Sequence, residues 1–363
     1  MGDSVHPCRV REKGANWILN FLMKGEIMSR KKLFCAIVTF AFCIGLWLSP
    51  VSVNQAAAAT YTINCVSAWP KTAFETLNIL TLMEWIQKEA DQKFPGQLQM
   101  VFKGGPEVIH TNEQIEALRT GLIDLVLSAP SYYVSVLPEM DTLSLTDFKP
   151  WEERKTGLHE YLDTIYNAKI NAHYLGRPGT GVMFQLFLAK PIKAVADLNG
   201  MKIRVSPTNV PFMKAVGATP VQMPPSDVYT AMERGVVDGY ILPAHTIRDF
   251  GLVKPSKYLV FPGVIEPCHS LLINLATWKK LPKGLQDIIA EQSAKIEHYG
   301  IDGIKKKYDE ELASFKKEGM TFIELPKAEA EKYRKIGNDA LFEVVSKKAP
   351  VESAKILQFI KKK

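Results

Sequence analysis

Ile115-Glu-Ala-Leu-Arg-Thr-Gly-Leu-Ile-Asp-Leu-Val126 and Tyr229-Thr-Ala-Met-Glu-Arg-Gly-Val-Val-Asp-Gly-Tyr240 are one pattern written twice, 114 residues apart. In each copy a helical spacing of apolar residues runs into a glycine, and a short apolar run follows. Asn112 and Ser226 are of the residue types that cap a helix, and Gly121 and Gly235 suit the left-handed position that ends one. The run behind each glycine has strand length. A helix feeding a short buried strand implies crossovers and mostly parallel sheets, and two copies imply two lobes of similar build. The expected fold class is therefore α/β, two-lobed, with mixed but mostly parallel sheets.

Working outward, Tyr61 to Val66 reads as a first strand. Trp69-Pro70 breaks into a helix from about Thr72 to Lys93, and Leu98 to Lys103 is a second strand before a Gly104-Gly105-Pro106 turn. Asn171 to Leu175 and Gly181 to Leu188 read as strands around the irregular Gly176-Arg-Pro-Gly-Thr180, and Val195 to Leu198 as a short helix. Leu271 to Leu275 is a further strand. From Pro282, Leu285, Ile288, Ile289, Ile296, Ile304 and Leu312 keep mostly to one helical face until Gly319. Met320 to Leu325 is a last strand, followed by two amphipathic helices. Residues 60–183 are expected mostly in lobe I and 184–270 mostly in lobe II. Residues 271–363 then form a return strand and helices that brace both. Short multiple crossings of this kind suit a hinge.

Residues 1–59 stand outside this scheme. Met28-Ser-Arg-Lys-Lys opens a basic stretch, Leu33 to Leu48 is almost uninterruptedly apolar, and Ala56 to Ala59 supplies small residues for cleavage. The reading is an export signal cut after Ala59 with translation starting at Met28; the alternative is an uncleaved membrane anchor. Export places the protein in the periplasm. Removing seven Lys/Arg and three Asp/Glu with this prefix lowers the formal net charge from +7 to +3. No basic block interleaved with aromatics remains, which argues against nucleic acid. Cys65 and Cys268 survive cleavage; they either pair or are small buried residues.

Motifs for catalysis are missing. There is no G-x-S-x-G elbow, P-loop, H-E-x-x-H or C-x-x-C, and the six histidines after the prefix show no ligand spacing. No enzyme, cofactor or metal site is expected. Arg204 is the informative charge. It sits in Met201-Lys-Ile-Arg-Val-Ser-Pro207, in a short apolar strand that ends at Pro207. A guanidinium at a strand's carboxyl end must meet water, a carboxylate of the protein or an anionic ligand.

The order Leu198-Asn-Gly-Met-Lys-Ile-Arg-Val205, Gly217-Ala-Thr-Pro220, Met223-Pro224, Ser226-Asp-Val-Tyr229 and Gly235-Val-Val-Asp-Gly239 resembles the central signature of the periplasmic solute-binding proteins of tripartite ATP-independent (TRAP) transporters. Leu118 to Asp124 and Trp278-Lys-Lys-Leu-Pro282 fall in matching order, so the resemblance spans roughly Tyr61 to the C-terminus. It implies two lobes closing on a ligand, a monomer, delivery to TRAP membrane permease subunits, and Arg204 as the arginine that pairs with the carboxylate of a small organic acid. Asp238 reads as a strand-end structural residue. Phe184 stands near the place where relatives with polar ligands carry a second arginine, with Arg177 as a substitute seven residues earlier. Leu242 stands where some relatives carry Glu or Asn before proline. Trp69, Tyr132, Tyr133 and Phe184 are then expected to line an apolar cleft, with Ser128, Thr208, Pro225 and His245 as further ligand contacts. The ligand expected is a monocarboxylate with an apolar or aromatic body; the alternatives are a small 2-oxo or 2-hydroxy acid, a C4-dicarboxylate, or a sensory role without transport.

Overall fold

The computed structural model describes residues 60–146 and 148–361. The expected export signal, its cleavage point and the start at Met28 lie outside the described residues. The chain opens with β1 (Tyr61–Ser67), α1 (Phe74–Lys93), β2 (Leu98–Gly104), α2 (Gln114–Thr120), β3 (Leu125–Ser128), α3 (Pro150–Thr156), α4 (Leu158–Ile170) and β4 (Ala172–Gly176). It continues through β5 (Phe184–Leu188), β6 (Lys202–Val205), α5 (Val210–Ala215), β7 (Thr219–Gln222), α6 (Val228–Glu233), β8 (Gly239–Pro243) and β9 (Tyr258–Val264). It then closes with β10 (Ser270–Asn274), α7 (Leu275–Lys280), α8 (Lys283–Lys317), β11 (Thr321–Glu324), α9 (Lys327–Lys348) and α10 (Pro350–Ile360).

The strands form two sheets, ordered β2-β1-β3-β10-β4 and β11-β9-β5-β8-β6-β7. Strand alternation sends residues to opposite faces. Ile63, Cys65, Leu125 and Leu127 therefore join one core of the first sheet, while Val66, Val126 and Leu272 join the other. The second sheet does the same with Leu186, Ile203 and Val205 on one face and Phe187, Tyr240 and Leu242 on the other. Helix α8 packs against α1 beside the first sheet and against the turn that follows β8 in the second.

The sequence repeat is a structural repeat at the level of single hydrogen bonds. Gly121 and Gly235 hold φ of 80° and 66°. The amides of Leu122 and Val236 each donate to the alanine carbonyl five residues back, Ala117 and Ala231, both at 2.9 Å. Asp124 and Asp238 then each bridge to the parallel neighbour of the strand that follows them, β1 and β6. The Asp124 amide donates to the Asn64 carbonyl at 2.9 Å, and its carboxylate accepts from the Asn64 amide at 2.9 Å. The Asp238 amide donates to the Lys202 carbonyl at 2.7 Å, and its carboxylate accepts from the Lys202 amide at 2.8 Å. The register agrees as well. Cys65 pairs with Leu125 and Val66 with Val126, as Ile203 pairs with Gly239 and Arg204 with Tyr240.

Four expectations need correction. Neither Asn112 nor Ser226 caps its helix: α2 and α6 emerge from preceding turns, their cap positions Glu113 and Asp227 are already helical in φ and ψ, and neither makes a capping bond. The sheets are more evenly mixed than expected, because β10 and β5 run antiparallel to both neighbours. Strand β9 was not anticipated; its Pro262 and Gly263 disguise it. The strand expected to reach Leu275 stops at Asn274, whose side chain accepts from the amides of Ala276 and Thr277 and starts α7.

Candidate functional site

The carboxyl ends of the parallel strands of both sheets face one another across a narrow cavity, the place where open α/β sheets bind ligands. Its free volume is only ≈ 30 Å³, far below the ~300 Å³ or more of a pocket that holds a small molecule, so the walls stand nearly closed on one another. Trp69 follows β1, Glu75 lies in the first turn of α1, and Ala129, Ser131 and Tyr132 follow β3. From the other side come Phe184 at the start of β5, Arg204 and Ser206 from β6 and its end, Leu242 and Pro243 from β8, then Thr246 and Phe250. Pro267 and His269, in the crossing from β9 to β10, complete the walls. The Trp69 ring stands edge-on to Tyr132 at 6.2 Å and tilted against His269 at 4.6 Å. Gly179 leaves the space that the His269 ring fills, since a Cβ there would lie 1.6 Å from Nδ1.

Arg204 is 1 % exposed. Its Nε and Nη2 donate to the Met223 carbonyl at 2.9 and 2.7 Å, and Nη1 donates to the Ile241 carbonyl at 3.2 Å. A guanidinium has five donors, so one N–H on each terminal nitrogen is uncommitted. No carboxylate among the described residues forms an ion pair with it. Burial drives its pKa down to about 10, which still leaves a cation at neutral pH. The carbonyls orient the fork without cancelling its charge.

Glu75 is the second buried charge. It shares the apolar stripe of α1 with Ile79, Leu82 and Ile86, spaced as one helical face. Its Oε1 meets His245 Nε2 at 2.9 Å across the lobes, and Oε2 has no hydrogen-bond partner among the described residues. Burial, the largest single influence, raises the carboxyl, but the hydrogen bond and charge of His245, with His269 and the residue's own backbone, together outweigh it and hold the group at about 2. His269 is pushed down to about 4 by burial and is neutral at pH 7.

The structure brings Arg204, Trp69, Tyr132, Phe184 and Leu242 to the walls of one cavity. His245 stands behind the wall, on Glu75. Pro225 lines a neighbouring recess with Glu107 and His110, separated from the first by Phe250, which borders both. Ser128, Thr208, Arg177 and Tyr133 do not border the cavity. Ser128 is buried within β3, and Thr208 donates to Asp141 at 2.9 Å. Arg177 is consumed by a buried pair with Glu153 at 2.6 Å and by the carbonyl of Phe148, so it does not replace a second arginine at the cavity. The Tyr133 hydroxyl is tied to Tyr166 at 3.1 Å. Sequence reasoning missed Glu75 and His269; an acid on the apolar stripe of α1 was the available signal for the first. Cys65 and Cys268 are both free and buried. Among the described residues no three His, Cys, Asp or Glu side chains gather to hold a metal, and no helix is long and apolar enough to cross a membrane.

Residues 75–348 match the family of bacterial extracellular solute-binding proteins, family 7 (DctP). The monocarboxylate 2-oxoacid-binding periplasmic protein of Nostoc sp. is 23 % identical over 278 residues, 74 % of each chain. A TRAP periplasmic solute binding protein from Desulfovibrio salexigens, solved with bound orotic acid, superposes with a TM-score of 0.72 at 19 % identity, covering 84 % of this chain and 98 % of that one. An extracytoplasmic solute receptor of Bordetella pertussis that binds pyroglutamic acid superposes with a TM-score of 0.70 at 18 % identity, covering 83 % and 100 %. At these identities the structures establish the shared two-lobed α/β fold with mixed sheets.

Proposed function

Because this chain belongs to the bacterial extracellular solute-binding proteins of family 7, the periplasmic, non-enzymatic binding components of TRAP transporters, we propose that it captures a compact monocarboxylic acid on Arg204 and delivers it to a TRAP membrane permease. The observation that carries this reading is a buried guanidinium that, among the described residues, has two uncommitted N–H groups and no carboxylate against it. A carboxylate would take both donors and neutralise the charge in a site where water screens little. Trp69, Tyr132, Phe184, Leu242 and Phe250 would cover the body of the acid. They supply apolar contact but do not require an aromatic ligand, and Ser131, Ser206, Thr246, Glu75 and His269 make the walls less apolar than expected. A second carboxylate would meet the charge of Glu75, which disfavours C4-dicarboxylates. Relatives that bind a 2-oxoacid, pyroglutamate or orotate favour the same class of compact acid.

Capture would favour the closed lobes through contacts made to both at once, and release would follow at the permease. The test is calorimetry against a panel of mono- and dicarboxylates, with Arg204→Ala as the control. Monocarboxylates should bind the natural protein, and the variant should lose about 100-fold or more. Near-natural acid binding by Arg204→Ala would refute the anchoring role.

A further inference from the structure

The geometry points to Glu75 as a second ligand-reading group, an acceptor for an N–H or O–H carried by the bound acid. This rests on the capture of an acid by Arg204 and adds a requirement to it. Glu75 is fully buried, it borders the cavity, and only one of its two oxygens has a hydrogen-bond partner among the described residues. The used oxygen is fixed by His245, which itself sits in the buried turn after β8. Glu75 thus reaches the cavity from lobe I while Arg204 reaches it from lobe II. A buried carboxylate oxygen without a donor is costly, and a neutral donor on the ligand removes that cost without adding charge.

The consequence is a selectivity among monocarboxylates. A hydroxy acid, or an acid whose ring or chain carries N–H, satisfies both Arg204 and Glu75. A 2-oxo acid presents a second acceptor to an acceptor. The wall thus selects on hydrogen-bond polarity as well as on size, and His245 acts as a positioning residue that keeps Oε2 turned away from the protein's own donors.

Two matched sets of acids test this by calorimetry. One set is 2-hydroxy-3-methylbutanoate, its 2-methoxy derivative and 3-methyl-2-oxobutanoate; the other is L-pyroglutamate and N-methyl-L-pyroglutamate. In the first set the donor-free partners bracket the hydroxy acid in size, so bulk and donor loss are separable. The donor-bearing acid of each set should bind about 10-fold tighter or more than its donor-free partners. Glu75→Gln should narrow that ratio while leaving Arg204 functional. Equal or tighter binding of the donor-free acids by the natural protein overturns the assignment, and needs no variant to be read. An unchanged ratio in folded Glu75→Gln also overturns it. If acids bind without this preference and Arg204→Ala abolishes them, Glu75 alone is misread; if no acid of either set binds, the Arg204 reading fails and takes this one with it.

Discussion

Val66 and Arg204 occupy the same position in two copies of one device. Each lies on the strand paired in parallel with the strand of a helix-glycine-strand repeat, opposite Val126 or Tyr240 in equivalent register, with Asp124 or Asp238 bridging to the residue two before it. Val66 is fully buried in an apolar core with Val126 and Leu272. Arg204 is as deeply buried but answers to the cavity and to two carbonyls. The same backbone device therefore carries either side chain, and the surroundings of each position decide which one fits. One lobe spends the position on packing and the other on binding.

Exchanging the two residue types breaks this comparison most sharply. Val66→Arg places an uncompensated charge in a closed core and should cost about 3–5 kcal/mol, read as a large shift in the urea midpoint or a failure to fold. Arg204→Val strands the carbonyls of Met223 and Ile241, a cost of about 1–3 kcal/mol, while acid binding disappears. Equal tolerance of Val66→Arg and Arg204→Val would remove the contrast between a closed core and a cavity wall.

Acid should separate the lobes next. His159, beside α3, is held down at about 3 by burial and by Arg154, whose Nη1 lies 3.1 Å from its Nε2, and His269 is held at about 4 by burial. Both are depressed below the unfolded value of 6.5. The unfolded chain therefore takes up these protons first, and the stability they confer is full above pH 6.5 and lost as pH falls toward 4 and below. The His159 ring lies in the first lobe against Arg154 and Tyr174, and the His269 ring, in the crossing from β9 to β10, packs on Trp69 of that lobe, so hydrogen exchange between pH 6.5 and 4 should rise earlier in α4 and β4 than in β6 and β8. His159→Gln, which does not titrate, should flatten the melting temperature over that range; an unchanged slope would remove His159 from the account.

The aspartates sharpen the comparison further. Asp124 accepts from the Asn64 amide, the Asn64 side chain and Thr277, whereas Asp238 accepts from the Lys202 amide at an exposed edge. Alanine should cost about 2–3 kcal/mol at Asp124 and about 1 kcal/mol at Asp238, measured by denaturant titration. The smallest contrast is at the glycines. A Cβ on Gly235 would meet nothing within 4 Å and on Gly121 only Asn274 at 3.8 Å, so backbone strain alone operates. Each alanine variant should lose roughly 1–2 kcal/mol, equally in both lobes.

Much of this was legible in the sequence because it is local. Gly121, Gly235 and the apolar runs behind them announce helix ends and buried strands within a dozen residues. Arg204 announces itself as a charge in an apolar strand, whereas Trp69, Tyr132, Phe184 and Leu242 were named through the family resemblance and not through local pattern. Arg177 misled because its partner Glu153 lies on a helix whose packing no local pattern reveals. Asn112 and Ser226 misled because a turn already in helical geometry leaves no role for a cap. Glu75 and His245 are separated by 170 residues, a distance over which spacing carries no information.

The sequence by itself determined the two-lobed α/β repeat, the strand-end arginine and the absence of familiar catalytic motifs, since helix periods, glycine conformations and buried strands follow from neighbouring residues. The tertiary structure alone decided which charges were already paired. It joined Arg177 to Glu153 and, among the described residues, left Arg204 without a counter-ion and Glu75 with an unused oxygen, because desolvation and hydrogen bonding depend on what the fold brings within about 3 Å, not on what the chain places next in line.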